Sequence, residues 1–286
     1  MSKNAVKIGF NASNLLTYAL LATLGVLWVL PIGYLVYTAF RVTPSTGIIN
    51  QLFPKGLRLG FGNFVRLFRD TMFTRWLLNT LLVSTLSCVL TTLFILMVSY
   101  ALSRMRFRLR KPIMNVLLVL GMFPGFMSMI AVYFILKAMG LTNSLVALVM
   151  VYSGGAALSY YICKGFFDTV PKAMEEAAFL DGASQPIIFW KIILPLAKPI
   201  IVYTVLTSFI SPWCDFIFVN TIISDREKYT VSLGLYKMIN AEKNSFNDNF
   251  TVFCAGAFVV GAIIVTLFMS MQKYYVEGIT SGAVKG

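Results

Sequence analysis

Residues 176–195, EAAFLDGASQPIIFWKIILP, interrupt an otherwise apolar chain with a short polar island. Charge sits at Glu176, Asp181 and Lys191, Gly182 divides the stretch, and Pro186 and Pro195 bracket its second half. Just upstream, Pro171 suits a first helical turn, and Lys172, Ala173, Met174, Glu175, Glu176, Ala177 and Ala178 are good helix formers. Asp168 and Thr169 offer this helix an N-cap, and Gly182 supplies the left-handed residue that ends it. Ser184 offers a cap to a second helix, which is expected to run until Pro195. The product is helix–glycine–helix, too short and too polar to cross a bilayer. What flanks it decides the fold, because the segments on either side are long and apolar.

The 286 residues are 58% hydrophobic and 12% charged, where soluble domains carry about 25% charged residues. Six runs are long enough to cross roughly 30 Å of hydrocarbon as helices. They lie at about 15–40, 77–103, 113–137, 143–164, 199–222 and 251–272. Their apolar residues are continuous rather than alternating, which excludes a β-barrel. The expected fold class is an all-α membrane protein with six transmembrane helices. The first run far exceeds a signal-peptide core and reads as a retained span. Residues 61–76 place Phe61, Phe64, Leu67 and Phe68 near one helical face, as in an interfacial helix lying on the bilayer. Three regions follow: 1–76, the first span with an outer loop and interfacial segment; 77–275, a membrane core carrying the elbow at 165–198; and 276–286, a tail. Pro31, Pro124, Gly154–Gly155 and Pro212 are helix breakers within the spans. They fit either ordinary kinks or a bundle broken around a pathway.

The net charge of +13 is dispersed among apolar runs, which suits lipid headgroups and not nucleic acid. Arg104, Arg106, Arg108, Arg110 and Lys111 crowd one short loop, which the positive-inside rule places in the cytoplasm. Six spans then put both termini and the elbow in the cytoplasm as well. The totals are close, 13 basic residues inside against 11 outside, so density in the short loop decides. Cys88, Cys163, Cys214 and Cys254 show no zinc-ligand spacing, and no disulfide is expected. The chain has no His, which removes the commonest general base and metal ligand. No G-x-x-x-x-G-K-[ST] run exists, so this chain is not expected to hold nucleotide, metal or another cofactor, nor to be an enzyme. If ATP drives it, ATP and Mg²⁺ sit on a partner.

The elbow's side chains suit docking. Ala177 and Ala178 allow close approach, Glu175, Glu176 and Asp181 offer acceptors to Arg or Lys, and Ile187, Ile188, Phe189 and Trp190 can anchor the elbow to the membrane core. A re-entrant or interfacial loop without a partner would have the same composition. Asp215 lies deep in an apolar run, where a charge costs roughly 2.5–3.5 kcal/mol at the bilayer centre. It either lines a polar pathway with Trp213 and Tyr152, or lies near the outer interface paired with water or Arg226.

The pattern Glu176-Ala177-Ala178, three residues, Gly182, nine residues, Ile192, one residue, Leu194-Pro195 resembles the EAA motif of binding-protein-dependent ABC importer permeases. Residues 60–286 further resemble the second, maltose-transporter type permease of the carbohydrate-uptake group. The resemblance is carried by Tyr100–Arg104 with Phe107, by Met122–Gly125, Gly140–Asn143, Gly165–Asp168 with Pro171, and by Tyr275–Gly286. It implies a type I ABC importer permease in a bacterial cell membrane, with the elbow as coupling helix in a cleft of a cytoplasmic ATPase dimer. Glu176 would face a basic residue there. Val284, Lys285 and Gly286 would reach into the same dimer. It also implies a second permease subunit, forming a heterodimer, and an extracellular sugar-binding protein. The implied substrate is an oligosaccharide of maltodextrin type, with galacto-oligosaccharides, raffinose-type sugars and uronate oligosaccharides open. Many members carry Trp-Asn-Glu-Phe where this chain has Trp213-Cys214-Asp215-Phe216, so the contacts of that Asn do not transfer. The competing classes are an ion-coupled secondary transporter, disfavoured by the absent His and the scarce intramembrane acids, and a non-transporting scaffold.

Overall fold

A computed structural model describes residues 12–42, 58–122, 125–155, 157–240 and 245–283. Helix α1 (Ala12–Phe40) is followed by a short α2 (Gly62–Asp70) and by α3 (Phe73–Arg104). Two bent pairs come next: α4 (Arg110–Met122) with α5 (Gly125–Ala138), and α6 (Leu145–Gly154) with α7 (Ala157–Thr169). The elbow comprises α8 (Ala173–Leu180) and α9 (Gln185–Leu196). After it run α10 (Lys198–Cys214), α11 (Ile217–Ile222), α12 (Val231–Asn240) and α13 (Ser245–Ala283). Among the described residues, extended pairing is limited to an isolated antiparallel bridge between Arg41 and Leu59.

Among the described residues, three helices are long and apolar enough to cross a membrane alone: Leu15–Phe40, Phe73–Arg104 and Asn249–Lys273. Up to six crossings result if each bent pair counts as one. One predicted breaker coincides with a bend: α6 turns through 42° into α7 just past Gly154. α4 and Met127–Ala138 meet at 108°, and Pro124 lies outside the described residues. Pro31 lies inside an uninterrupted α1. The expected single span at 199–222 is two pieces. Its helix passes through Pro212 and stops at Cys214, and Asp215 is extended before α11 begins. Pro212 withholds an N–H from the ladder two residues before that end.

Helix α3 organises the bundle. At about 1.5 Å per residue its 32 residues are roughly 48 Å long, and it contributes to all three buried clusters. Phe73 and Trp76 pack at one end, Val83 near the middle, and Ile95, Leu96 and Tyr100 at the elbow end. Its inward face carries small hydroxyl residues, Thr80, Ser84, Ser87, Thr91 and Ser99, while Leu78, Leu82, Leu86, Val89 and Met97 face outward. This reverses the soluble pattern. In lipid, apolar side chains gain nothing by leaving the hydrocarbon, and small residues let helices approach closely. α10, α6 and α7 take that approach, packing along α3.

The 61–76 segment departs from expectation. α2 does not merely lie on a bilayer: Leu67 is buried and Phe64 packs on Phe40 of α1 and Phe258 of α13. Phe61 and Phe68 remain exposed, and the next helix starts at Phe73, not at 77. The stretch 223–250, polar by composition, contains α12, whose Val231, Leu233, Gly234 and Leu235 are buried. A Cβ at Gly234 would fall 2.2 Å from the Trp76 ring, so only glycine permits this crossing. α13 continues through the expected 275–276 boundary to Ala283, and Val284–Gly286 lie outside the described residues.

Candidate functional site: the polar elbow and the hydroxyl-lined cavity

The elbow is an ordered hairpin of helices. α8 has Glu175 and Glu176 in its first turn, where negative charge complements the helix dipole. Its N-cap position is Lys172, with no side-chain cap. Asp168 and Thr169 do not cap it, because α7 runs through Thr169 and Asp168 accepts from Ser103 at 2.7 Å and pairs with Lys164. α8 ends in a Schellman turn. Gly182, at φ +84°, donates to Phe179 O at 3.0 Å, and Ala183 donates to Ala178 O at 3.0 Å. This conformation favours glycine.

Helix α9 does not stop at Pro195. It passes through a π-helical turn at Phe189–Ile193 and runs on to Leu196, before an 82° turn into α10. The π turn places the missing N–H of Pro195 where the α-register has already slipped by one residue. Ile188, Phe189 and Ile193 are buried against Tyr100, Phe167 and Cys163, with Ile192 and Leu194 packed alongside. Ile187 and Trp190 remain exposed, so half of the expected anchor is buried.

Sequence reasoning placed Arg104 among loop charges and missed its role. Its Nε lies 2.6 Å from Glu175 Oε1, and it donates through its terminal nitrogen to Val170 O at 2.7 Å. The side chains of Arg104 and Glu175 are 5% and 14% exposed. Glu175 is therefore turned into the chain and is not the outward acceptor expected. Burial pushes its carboxyl above the ordinary carboxylate range, while the Arg104 guanidinium opposes that rise. Tyr100 donates to Gln185 Oε1 at 3.1 Å, tying α9 to the same end of α3.

The outward face of α8 carries Glu176 and Ala177, and the turn that follows exposes Asp181 and Gly182. The helix also carries Phe179 and Leu180, which are 64% and 87% exposed. These two occupy unspecified positions of the sequence pattern, which drew no attention to them. Ala178 is half-buried against the core, and Pro195 is exposed. A concavity of about 530 Å³ beside this face is lined by Arg104, Arg106, Lys172, Glu176, Phe179 and Leu180, among others.

A second feature lies inside the bundle. Asp215, at the break between α10 and α11, accepts the Tyr152 hydroxyl on Oδ2 at 3.0 Å and the Phe218 N–H on Oδ1 at 3.0 Å. Its backbone carbonyl accepts from Ser232 at 2.9 Å. It pairs with Tyr152 and not with Arg226. Both line a cavity of about 410 Å³, together with hydroxyls of Thr91, Ser128, Thr207 and Ser208. Trp213 is elsewhere: it is 3% exposed and packs with Ala39, Leu67 and Val231. The helix ends at Cys214 and the chain is extended at Asp215, so the two side chains leave the backbone in different settings, Trp213 into the buried cluster and Asp215 into the cavity.

A set of apolar, broken helices enclosing a polar cavity and projecting a rigid polar elbow defines the membrane subunit of a transporter. The chain belongs to the family described as binding-protein-dependent transport system inner membrane component, whose model matches residues 92–279. It is 32% identical to the maltodextrin transport system permease protein MalD of Streptococcus pneumoniae, over 99% of each chain. It is 32% identical to the galactooligosaccharides transport system permease protein GanQ of Bacillus subtilis, over 95% of each. To the maltose/maltodextrin permease MalG of Escherichia coli it is 30% identical, over 74% of this chain and 72% of that one. A solved bacterial ABC transporter that imports the acidic polysaccharide alginate has the same fold, with TM-score 0.75 and 22% identity over 92% and 96% of the two chains.

Proposed function

We propose that this chain passes a sugar, an oligosaccharide of maltodextrin type, from an extracellular binding protein into the cytoplasm of a bacterial cell, powered by ATP hydrolysed on a partner. The observation that carries the proposal is the elbow, where a Schellman turn and an internal ion pair hold Glu176, Phe179, Leu180 and Asp181 outward. Two bulky apolar residues at the tip of a polar projection favour a protein partner. Ala177 and Gly182 leave room for one, with Ile192, Leu194 and Pro195 securing the base. We take the partner to be a cytoplasmic ATPase dimer that also meets Val284–Gly286. The elbow and both termini then lie in the cytoplasm, consistent with the basic loop at 104–111. ATP-driven closure of the ATPase pair moves two elbows, one on this chain and one on a second permease subunit. The helix bundle rocks between inward- and outward-facing states as a result. Arg104, Glu175 and Gln185 act as positioning residues that transmit elbow motion to α3.

Relatives named for maltodextrin and for galactooligosaccharide transport support a neutral oligosaccharide. Uptake into proteoliposomes by the full complex tests the proposal. Glu176→Ala combined with Gly182→Val is expected to abolish ATP-dependent uptake of maltotetraose. Uptake at the wild-type rate would refute it.

A further inference from the structure

Several hydroxyls around Asp215 have their protons committed to the protein. Thr91 donates to Tyr152 O at 3.3 Å, Ser128 to Gly125 O at 2.8 Å, and Thr207 to Tyr203 O at 2.9 Å, while Ser208 donates to Thr204 O. Tyr152 spends its proton on Asp215. With their protons committed to protein carbonyls or carboxylate, these five oxygens are left to the cavity as acceptors, beside the hydroxyls of Ser159 and Ser211 that also line it. Each Asp215 oxygen has one protein donor and retains lone-pair capacity for another. Among the described residues lining the cavity there is one carboxylate and no Lys or Arg. Its volume lies in the range of roughly 300–1,000 Å³ typical of small-ligand sites.

We infer that this cavity is a substrate-contact surface selective for uncharged over acidic oligosaccharides: Asp215 and Tyr152 accept hydrogen bonds from sugar hydroxyls, and Asp215 repels sugar carboxylates. The inference rests on the sugar-import proposal above. A sugar hydroxyl carries a proton to give, and an acceptor-rich wall takes it. A uronate carboxylate brings only acceptors and a like charge, into a site of low dielectric where repulsion is poorly screened. The two sources of selectivity act on the same atoms, so one substitution separates them. Asp215→Asn removes the charge and keeps an oxygen for the Phe218 N–H. Tyr152→Phe removes the hydroxyl and keeps the ring that packs on Phe218 at 6.2 Å.

The test uses the complex of this chain with its partner permease and ATPase in lipid nanodiscs, without binding protein. It is titrated calorimetrically with maltotetraose, a neutral galacto-oligosaccharide tetramer and a galacturonate tetramer. At least one neutral tetramer is expected to bind about tenfold more tightly than the uronate, the scale of one charge-assisted hydrogen bond. Asp215→Asn is expected to narrow that gap to about threefold or less, and Tyr152→Phe to weaken the neutral sugar by about threefold to tenfold. Uronate binding as tight as neutral binding in the wild type, absence of neutral binding, or unchanged affinities in both variants would overturn the inference. The wild-type comparison stands even if a variant fails to assemble. The import proposal fails by a different result, a wild-type ATPase that no sugar-loaded binding protein stimulates.

Discussion

Arg104 Nε sits 2.6 Å from Glu175 Oε1, joining the last turn of α3 to the first turn of α8 at a site largely withdrawn from solvent. The pair makes the elbow an extension of α3, the helix that contributes to every buried cluster described above. Arg104→Ala strands a mostly buried carboxylate, a change that costs roughly 3 kcal/mol in comparable pairs. Thermal unfolding of the purified complex should show that loss. Arg104→Ala with Glu175→Gln should lose less than the sum of the single changes, because the second substitution removes the stranded charge.

The same pair predicts a pH dependence. Burial raises the Glu175 carboxyl, so its protonated form is favoured in the folded state. The contribution of this group is therefore present at acid pH and is lost as pH rises through the folded-state value. Without Arg104 to oppose burial, that loss deepens. The stability deficit of Arg104→Ala should be smaller at about pH 5 than at about pH 8, measured by unfolding at each pH. A deficit independent of pH would assign the effect to lost packing instead.

Gly182 at φ +84° sets the angle between α8 and α9. Gly182→Val forces a β-branched residue into the left-handed region at a cost of about 1–2 kcal/mol or more. The complex should still assemble, and transport should fall at least tenfold. Gly182→Asn, which tolerates this conformation better, should retain much more. Uptake assays on both variants distinguish a geometric requirement from a demand for a small side chain.

The Gly234–Trp76 crossing predicts a stability effect remote from the elbow. A Cβ placed 2.2 Å from the indole cannot be accommodated without moving the ring, and that indole also donates to Arg226 O at 3.0 Å. Gly234→Ala should destabilise by about 1–3 kcal/mol. Pairing it with Trp76→Leu should relieve the clash and recover part of the deficit, seen as a partly restored melting temperature.

Asn143 closes the opposite end of the bundle from a left-handed position, φ +57°. Its Oδ1 accepts from Ser224 N and Asp225 N at 3.2 and 3.0 Å. Asn143→Ala loses both acceptor contacts and adds backbone strain, roughly 2 kcal/mol in sum. Asn143→Gly removes only the contacts and Asn143→Asp keeps them, so both should melt at higher temperatures than Asn143→Ala.

Long apolar runs revealed the spans because hydrocarbon leaves a chain few alternatives to helix. They concealed where a span breaks: Pro212 was the visible signal, yet the helix ends at Cys214 and the extended residue is Asp215. The elbow was legible through Gly182 and the helix formers before it, since capping chemistry is local. Its anchoring was not, because Arg104 and Glu175 meet only once α3 and α8 are packed together. α12 was hidden among polar neighbours, although Val231, Leu235 and Met238 recur at helical spacing and pack together. Trp213 was grouped with Asp215 by proximity in sequence, but the helix ends between them and the two side chains go to different places.

The most direct test of a docking elbow is photocrosslinking from position 180 in the assembled complex, with benzoylphenylalanine replacing Leu180, the most exposed large hydrophobic side chain of the elbow. A covalent adduct to the ATPase subunit, lost when Gly182→Val is combined with it, is the predicted result. Adducts to lipid alone, or none to the ATPase while uptake proceeds normally, would contradict an elbow that couples this chain to its source of energy.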